Sequence, residues 1–414
     1  MSTKSGRILW IDQLRSVAFL FVIIGHVAIP KEMKSLIYSF HMPLFFLISG
    51  LTINNQKISN IPFKDYVSKQ AKSLLVPYFW LSFLCYPLWY FAFQILTDSK
   101  QTVFGVFKGI FAGSLEFNSP SNALWFLLVL FVANIIYAGI VKFSKGNDVV
   151  LLCLVLISAI IGYLDKAFNQ LWHFNVAFTA VMLLYLGNIF INWYKQSKLY
   201  NHKKSFAYFI KNLGVALCFV VVGLQSHKMN GRISMTANKF GKSVLLFYVT
   251  AIAFSLAITL IVMLLPKISF ITYIGQNTLF YLGIHIPIIR ILEKAFPEIF
   301  LQYKYSIPLA FVLYIVLIPI VMLVKKLFPY VCGVSTKTST VFFNICKVLM
   351  VMWCTVIPYG YVSMKLGFLS YTIPSVIING FVLLALSIIF VCITRKFAPV
   401  IFLEEKITKN TKSA

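Results

Sequence analysis

The sequence predicts an all-α, polytopic transmembrane helical bundle, on three observations. Of 414 residues, 60% are hydrophobic and only 12% charged, against about 25% charged in an ordinary soluble chain. The mean hydropathy is +0.86. The apolar residues fall in runs of roughly 17 to 25, the length that crosses a hydrocarbon core of about 30 Å. Together these exclude a typical cytosolic enzyme and a disordered chain. No hydrophilic stretch is long enough for a separate soluble domain.

Twelve spans follow from the runs: 8–29, 36–54, 75–96, 122–141, 149–165, 173–193, 207–225, 243–265, 270–290, 306–325, 340–362 and 372–394. About ten belong to a core unit, 1–328. Two more lie in 329–403, and 404–414 is a short charged tail. An even count puts both ends on one side. With the N-terminus inside, 22 Lys and Arg fall in cytoplasmic segments and 13 in outer ones, so the positive-inside rule favours N-in and C-in. Residues 226–242, with Lys228, Arg232, Lys239 and Lys242, run against that bias.

The first run is expected to be an uncleaved span. Asp12 and Arg15 interrupt what would be the core of a signal peptide, and no small-x-small site follows. Residues 61–75 read as an interfacial helix. Phe63, Tyr66, Val67 and Leu74 recur at helical spacing while Lys64, Lys69 and Lys72 face away. Pro77 is expected to end it. Residues 97–121, with Gly105, Gly109 and Gly113, are expected to form an outer loop or a shallow amphipathic segment.

The formal charge is +26. In a soluble protein that points to nucleic acid. Here the basic residues flank spans, so membrane lipids are the expected partner and nucleic acid is not. The seven Cys show no paired spacing, and neither a disulfide nor a metal site is expected.

Burying an ionisable side chain in a span costs a few kcal/mol or more, so each one is a candidate for function. The first span holds Asp12, Arg15 and His26. At 100° per residue, eleven positions return Arg15 and His26 to one face, roughly 16 Å apart along the axis, and Asp12 lies about 40° off it. Such a stripe belongs against a polar cavity rather than lipid. Arginine snorkelling to the interface is the plain alternative for Arg15.

The opening run reads RILWIDQLRSVAFLFVIIGHVAIP, the second SFHMPLFFLISGL. A basic helix and LLVPYFW follow, then ALWFLLVLF and YIGQNTLFYLGIHIP. Together these resemble the acyltransferase-3 family of integral membrane acyltransferases, over roughly residues 7–328. The Asp-x-x-Arg start and the Arg-x10-His pattern look like the family's signature, with Arg15 and His26 in the matching places. His41 in FHMP and His285 in GIHIP look similar too. One departure stands out. The family often carries an Arg-x-x-Arg pair before the third span, where this chain has Lys69 and Lys72, point charges without the bidentate fork of Arg.

The resemblance implies transfer of an acyl group, usually acetyl, from cytoplasmic acyl-CoA to a hydroxyl across the plasma membrane. Acetyl-CoA is the implied co-substrate, and a cell-surface or lipid-linked polysaccharide the implied acceptor. His26 is the candidate general base, since an imidazole titrates near working pH. Arg15 is a candidate for holding CoA phosphate or pantetheine groups, or for polarising the thioester. Lys69 and Lys72 would hold the nucleotide end, and Asp12 would fix the Arg15 rotamer. His41 and His285 would support the cavity. A covalent intermediate on Ser49 or Cys85 is disfavoured, because neither is paired with a base in sequence. The rival reading is a glycan or small-molecule carrier. It lacks the carboxylate deep in a span and the matched pair of Gly/Pro-broken helices that coupled carriers use.

Overall fold

A computed structural model describes residues 8–90, 102–113, 122–165, 171–197, 205–332, 341–368 and 372–402. Helices account for nearly all of their regular structure. The one extended pairing among them is an isolated bridge between Ser234 and Lys239.

In chain order the helices are α1 (Leu9–His26), α2 (Lys31–Tyr38), α3 (His41–Leu51), α4 (Asn55–Asn60), α5 (Phe63–Gln70), α6 (Val76–Trp89), α7 (Val103–Ala112), α8 (Trp125–Ser144) and α9 (Asp148–Leu164). Then come α10 (Phe174–Gln196), α11 (Phe206–Asn230), α12 (Val244–Leu264), α13 (Ser269–Gln276), α14 (Thr278–Ala295), α15 (Pro297–Phe300), α16 (Tyr303–Leu327), α17 (Val341–Lys365) and α18 (Ile373–Phe397). Among the described residues, nine helical stretches are long and apolar enough to cross a membrane, one of them the α2–α3 pair. Of the remaining expected spans, 149–165 is a shorter helix, 270–290 is broken, and 75–96 is described only as far as Tyr90. The chain is an all-α polytopic bundle.

The first helix is its hub. It packs against α3, α12, α13, α14 and α16, and Leu14, Ala18, Phe19, Val22 and Ile23 are all buried there. The rim is different. Along α11, α16, α17 and α18 large apolar side chains such as Phe206, Val221, Phe311, Ile345 and Phe381 are exposed, as lipid-facing helices require. Lipid tails are themselves apolar, so close backbone approach rather than hydrophobic contrast must hold such helices together. The α3–α10 crossing shows this. A Cβ on Gly50 would overlap the Leu184 carbonyl oxygen, and one on Gly187 would overlap that of Leu47.

Three expectations change. Pro77 does not end the interfacial helix. The chain runs on from α5 through a π-helical turn, Ala71–Leu75, into α6. Proline lacks an N–H and its ring crowds the carbonyl four residues back; a wider turn just before it absorbs both without breaking the rod. The expected span 270–290 is two helices, parted at Asn277 (φ −118°, ψ 15°). There the Asn277 side chain donates to the Tyr273 carbonyl, Thr278 Oγ1 donates to Gly275 O, and Lys325 donates to Asn277 Oδ1. Side chains that bond nearby backbone offer it an alternative to the helix ladder. The span 36–54 is likewise interrupted, at Ser39 and Phe40.

Within 97–121, residues 103–112 form the short helix α7, capped by Thr102 and closed by Gly113 in a left-handed turn (φ 58°). Tyr78 and Tyr86 of α6 donate to its Ile110 and Val103 carbonyls. The rest of that segment lies outside the described residues, except Thr102 and Gly113. So do Lys4, Arg7, His202 and the tail 404–414.

Candidate active site

Two polar centres sit at opposite ends of α1. At the first, Arg15 Nη1 lies 3.4 Å from Asp12 Oδ1, one helical turn before it. Asp12 is buried, and Gln276 Nε2 reaches its other oxygen at 3.3 Å. This end is locked by backbone too. Gln13 Nε2 donates to the Pro266 carbonyl at 2.8 Å, and Gly275 packs directly on the Asp12 carbonyl.

Arg15 lines a polar cavity of about 420 Å³ shared with Ser49, Lys57, Tyr66, Lys69 and Asn134. The elements explain the gathering. α3 runs antiparallel to α1 and delivers Ser49 to this end. Lys142 Nζ bonds the Ser59 and Ile61 carbonyls, holding the end of α4 against α8. Burial pushes the Tyr66 phenol up to about 12, so it stays neutral at the edge of this cavity. Lys69 lines this space; Lys72 is exposed and lies outside the lining set.

The second centre lies where α1, α3 and α14 converge. The His26 ring, half-buried, stands 5.3 Å from the His285 ring between centroids and 6.4 Å from Tyr38. Tyr38 in turn stands 5.0 Å from His41. His41 and His285 are buried. Each places its Nδ1 against a helical carbonyl four residues back, Ile37 O at 2.7 Å and Tyr281 O at 3.0 Å. A carbonyl only accepts, so both Nδ1 atoms carry the proton and both Nε2 atoms present a lone pair. His285 Nε2 is buried without a partner.

Between the two centres stands Phe19, on the same face of α1, four positions after Arg15 and seven before His26. Its ring is packed among those of Tyr281, His285 and Tyr314 at 5.3, 5.4 and 6.4 Å. Tyr314 shares a hydrogen bond with Ser16. Tyr281 Oη is buried without a partner.

The structure thus brings His26 and His285 together, with His41 linked through Tyr38, and sets Arg15, Asp12 and Lys69 together at the other end. Lys57, Tyr66 and Asn134, at the first centre, and Tyr38, at the second, were missed from sequence. Helical spacing placed Tyr66 on the apolar face of the interfacial helix but brought none of the four to a centre, because each enters from a different element. Ser49 Oγ donates to Phe45 O, and Cys85 is buried against the Gly283 carbonyl. Neither lies against an imidazole.

Comparison with known proteins bears on this arrangement. Over 260 residues the chain is 24% identical to nodulation protein NolL of Sinorhizobium fredii (strain NBRC 101917 / NGR234). That alignment takes in 59% of this chain and 65% of the relative. No solved structure matches. The acyltransferase-domain model of the acyltransferase-3 family matches residues 8–327, a stretch that holds both polar centres. The protein therefore belongs to the acyltransferase-3 family and is a multi-pass membrane protein.

Proposed function

We propose that the chain moves an acetyl group from acetyl-CoA to a hydroxyl of a cell-surface or lipid-linked polysaccharide, with His26 as general base, in the plasma membrane. The observation that carries this is the pairing of His26 with His285. A half-buried imidazole faces a second one whose Nε2 lone pair is buried and unpartnered. A lone pair at that position favours the His26 tautomer whose N–H faces it, and leaves the other nitrogen a bare acceptor for an incoming hydroxyl. That is what abstraction of a hydroxyl proton needs.

The acceptor oxygen attacks the thioester carbonyl as its proton passes to His26. The C–S bond breaks, and the CoA sulfur leaves as thiolate or takes that proton from the imidazolium. The ester oxygen stays on the sugar.

Arg15 holds phosphate or pantetheine groups of the donor. In this reading it acts on the donor's distal groups rather than the reacting carbonyl, since it stands about 16 Å along the helix from His26. Asp12 fixes the Arg15 rotamer. Lys69, with Lys72 outside the cavity, draws the anionic nucleotide. His41 supports the base through Tyr38. Mass spectra of surface glycans from cells with and without the protein test the reading. We expect an added acetyl mass on sugars only when it is present; identical spectra overturn it.

A further inference from the structure

The second polar centre is ringed by positive charge. Lys34, on α2, holds its Nζ 5.9 Å from the centroid of the Tyr38 ring, the ring that bridges His26 and His41. Arg290 follows His285 by five residues on α14 and lies within electrostatic reach of both His26 and Lys34. Arg232 comes from a third element, the turn between α11 and α12, and lies within electrostatic range of Lys34 and Tyr38. That turn is pinned. Asn230 bonds Phe240 O and Ser243 N at 2.8 Å each, and Ile233 is buried beside Arg232.

Against these three cations stands one carboxylate. Glu293 is taken up by Arg290 at 2.7 Å. Among the described residues neither Lys34 nor Arg232 is in an ion pair. Glu32 is two residues from Lys34, about 200° around the helix, and faces away. All three cations have exposed side chains. They are accessible to a ligand, and His285 Nε2 of the same centre is buried and unpartnered.

Resting on the reading of this centre as the acceptor side, we propose that the acceptor is an anionic sugar, one whose acylated hydroxyl lies within about one ring of a carboxylate or phosphate. A site that gathers three cations where a proton must also be taken up is poorly built for a neutral acceptor. A negatively charged one supplies the missing counter-charge as it docks. Arg290 and Arg232 bring the planar fork that pairs with carboxylate or phosphate, and Lys34 a mobile point charge. Nothing local marks this cluster, since the three lie far apart in the chain and Arg232 reads as an exception to the positive-inside rule.

The test uses the full-length protein in lipid nanodiscs and two probes that differ by one carboxylate, 4-nitrophenyl β-glucuronide and 4-nitrophenyl β-glucoside. Binding is measured by thermophoresis across a salt series. We expect the glucuronide to bind at least about tenfold tighter at low salt, with the gap narrowing as salt screens the charges. Lys34→Gln with Arg232→Gln closes the gap, and Lys34→Glu with Arg232→Glu inverts it. Equal affinities, no detectable glucuronide binding, or a gap that survives the double variant overturns the proposal. Release of CoA from acetyl-CoA by the unaltered protein reports separately on the acyl-transfer chemistry. Turnover without a glucuronide preference sinks the anionic acceptor alone. A preference without turnover sinks the transfer reading and leaves the anion site standing.

Discussion

Gly275 of α13 lies so close to Asp12 of α1 that a single methyl group on it would overlap the Asp12 carbonyl oxygen. The neighbouring Gln276 then reaches the Asp12 carboxylate, whose other oxygen meets Arg15. Arg15 is therefore positioned by a glycine on another helix. Gly275→Ala should destabilise the protein by about 1–3 kcal/mol, the usual range for overpacking, and should weaken acetyl-CoA binding. Thermal melting in detergent, with donor titration below the melting range, checks both. An unchanged melting temperature would show that the two helices are free to part.

His26→Ala should lower transfer by roughly 10²–10⁴-fold, the span attributed to a positioned base. The ring is half-buried and no hydrogen bond ties it to the core, so melting temperature and donor affinity should hold. Near-normal acetylation in membranes carrying the variant removes His26 from the base role.

Lys69 and Lys72 look alike in sequence, but only Lys69 lines the Arg15 cavity. Lys69→Ala should weaken acetyl-CoA binding a few-fold and flatten its salt dependence, within the 0.2–1 kcal/mol or so of an exposed charge. Lys72→Ala should do less. Equal effects from both would mean that general positive potential, and no particular contact, gathers the donor.

Phe19 fills the interval between the two centres. Phe19→Ala should cost about 3–5 kcal/mol as a buried aromatic truncation. It should also join the Arg15 cavity to the histidines and raise acceptor-independent hydrolysis of acetyl-CoA. Phe19→Leu keeps most of the volume and serves as the folding-competent companion. If neither variant raises hydrolysis, the ring does not separate donor from base.

Much of the bundle was legible because lipid makes it so. Apolar runs of span length admit few other readings, and the spacing of Arg15 and His26 on one helix needs only the helical repeat. What periodicity does not encode is which helices touch. His285 lies 259 positions from His26, and nothing local says that α14 will lay it beside α1. The same holds for Lys34, Arg232 and Arg290. The break at Asn277 was hidden because apolar residues run on through it, while side-chain bonds to backbone decide the local conformation. Pro77 misled in the opposite direction, because a proline signals a stop unless the preceding turn widens.

That widened turn has a mechanical consequence. Lys69, at the mouth of the Arg15 cavity, and Cys85, bonded to the Gly283 carbonyl two residues before His285, stand on one unbroken shaft. Whatever tilts its lower end when cargo arrives there must swing its upper end against the backbone that carries the paired imidazole. A tilt of this shaft at one face of the bilayer would be transmitted to the other.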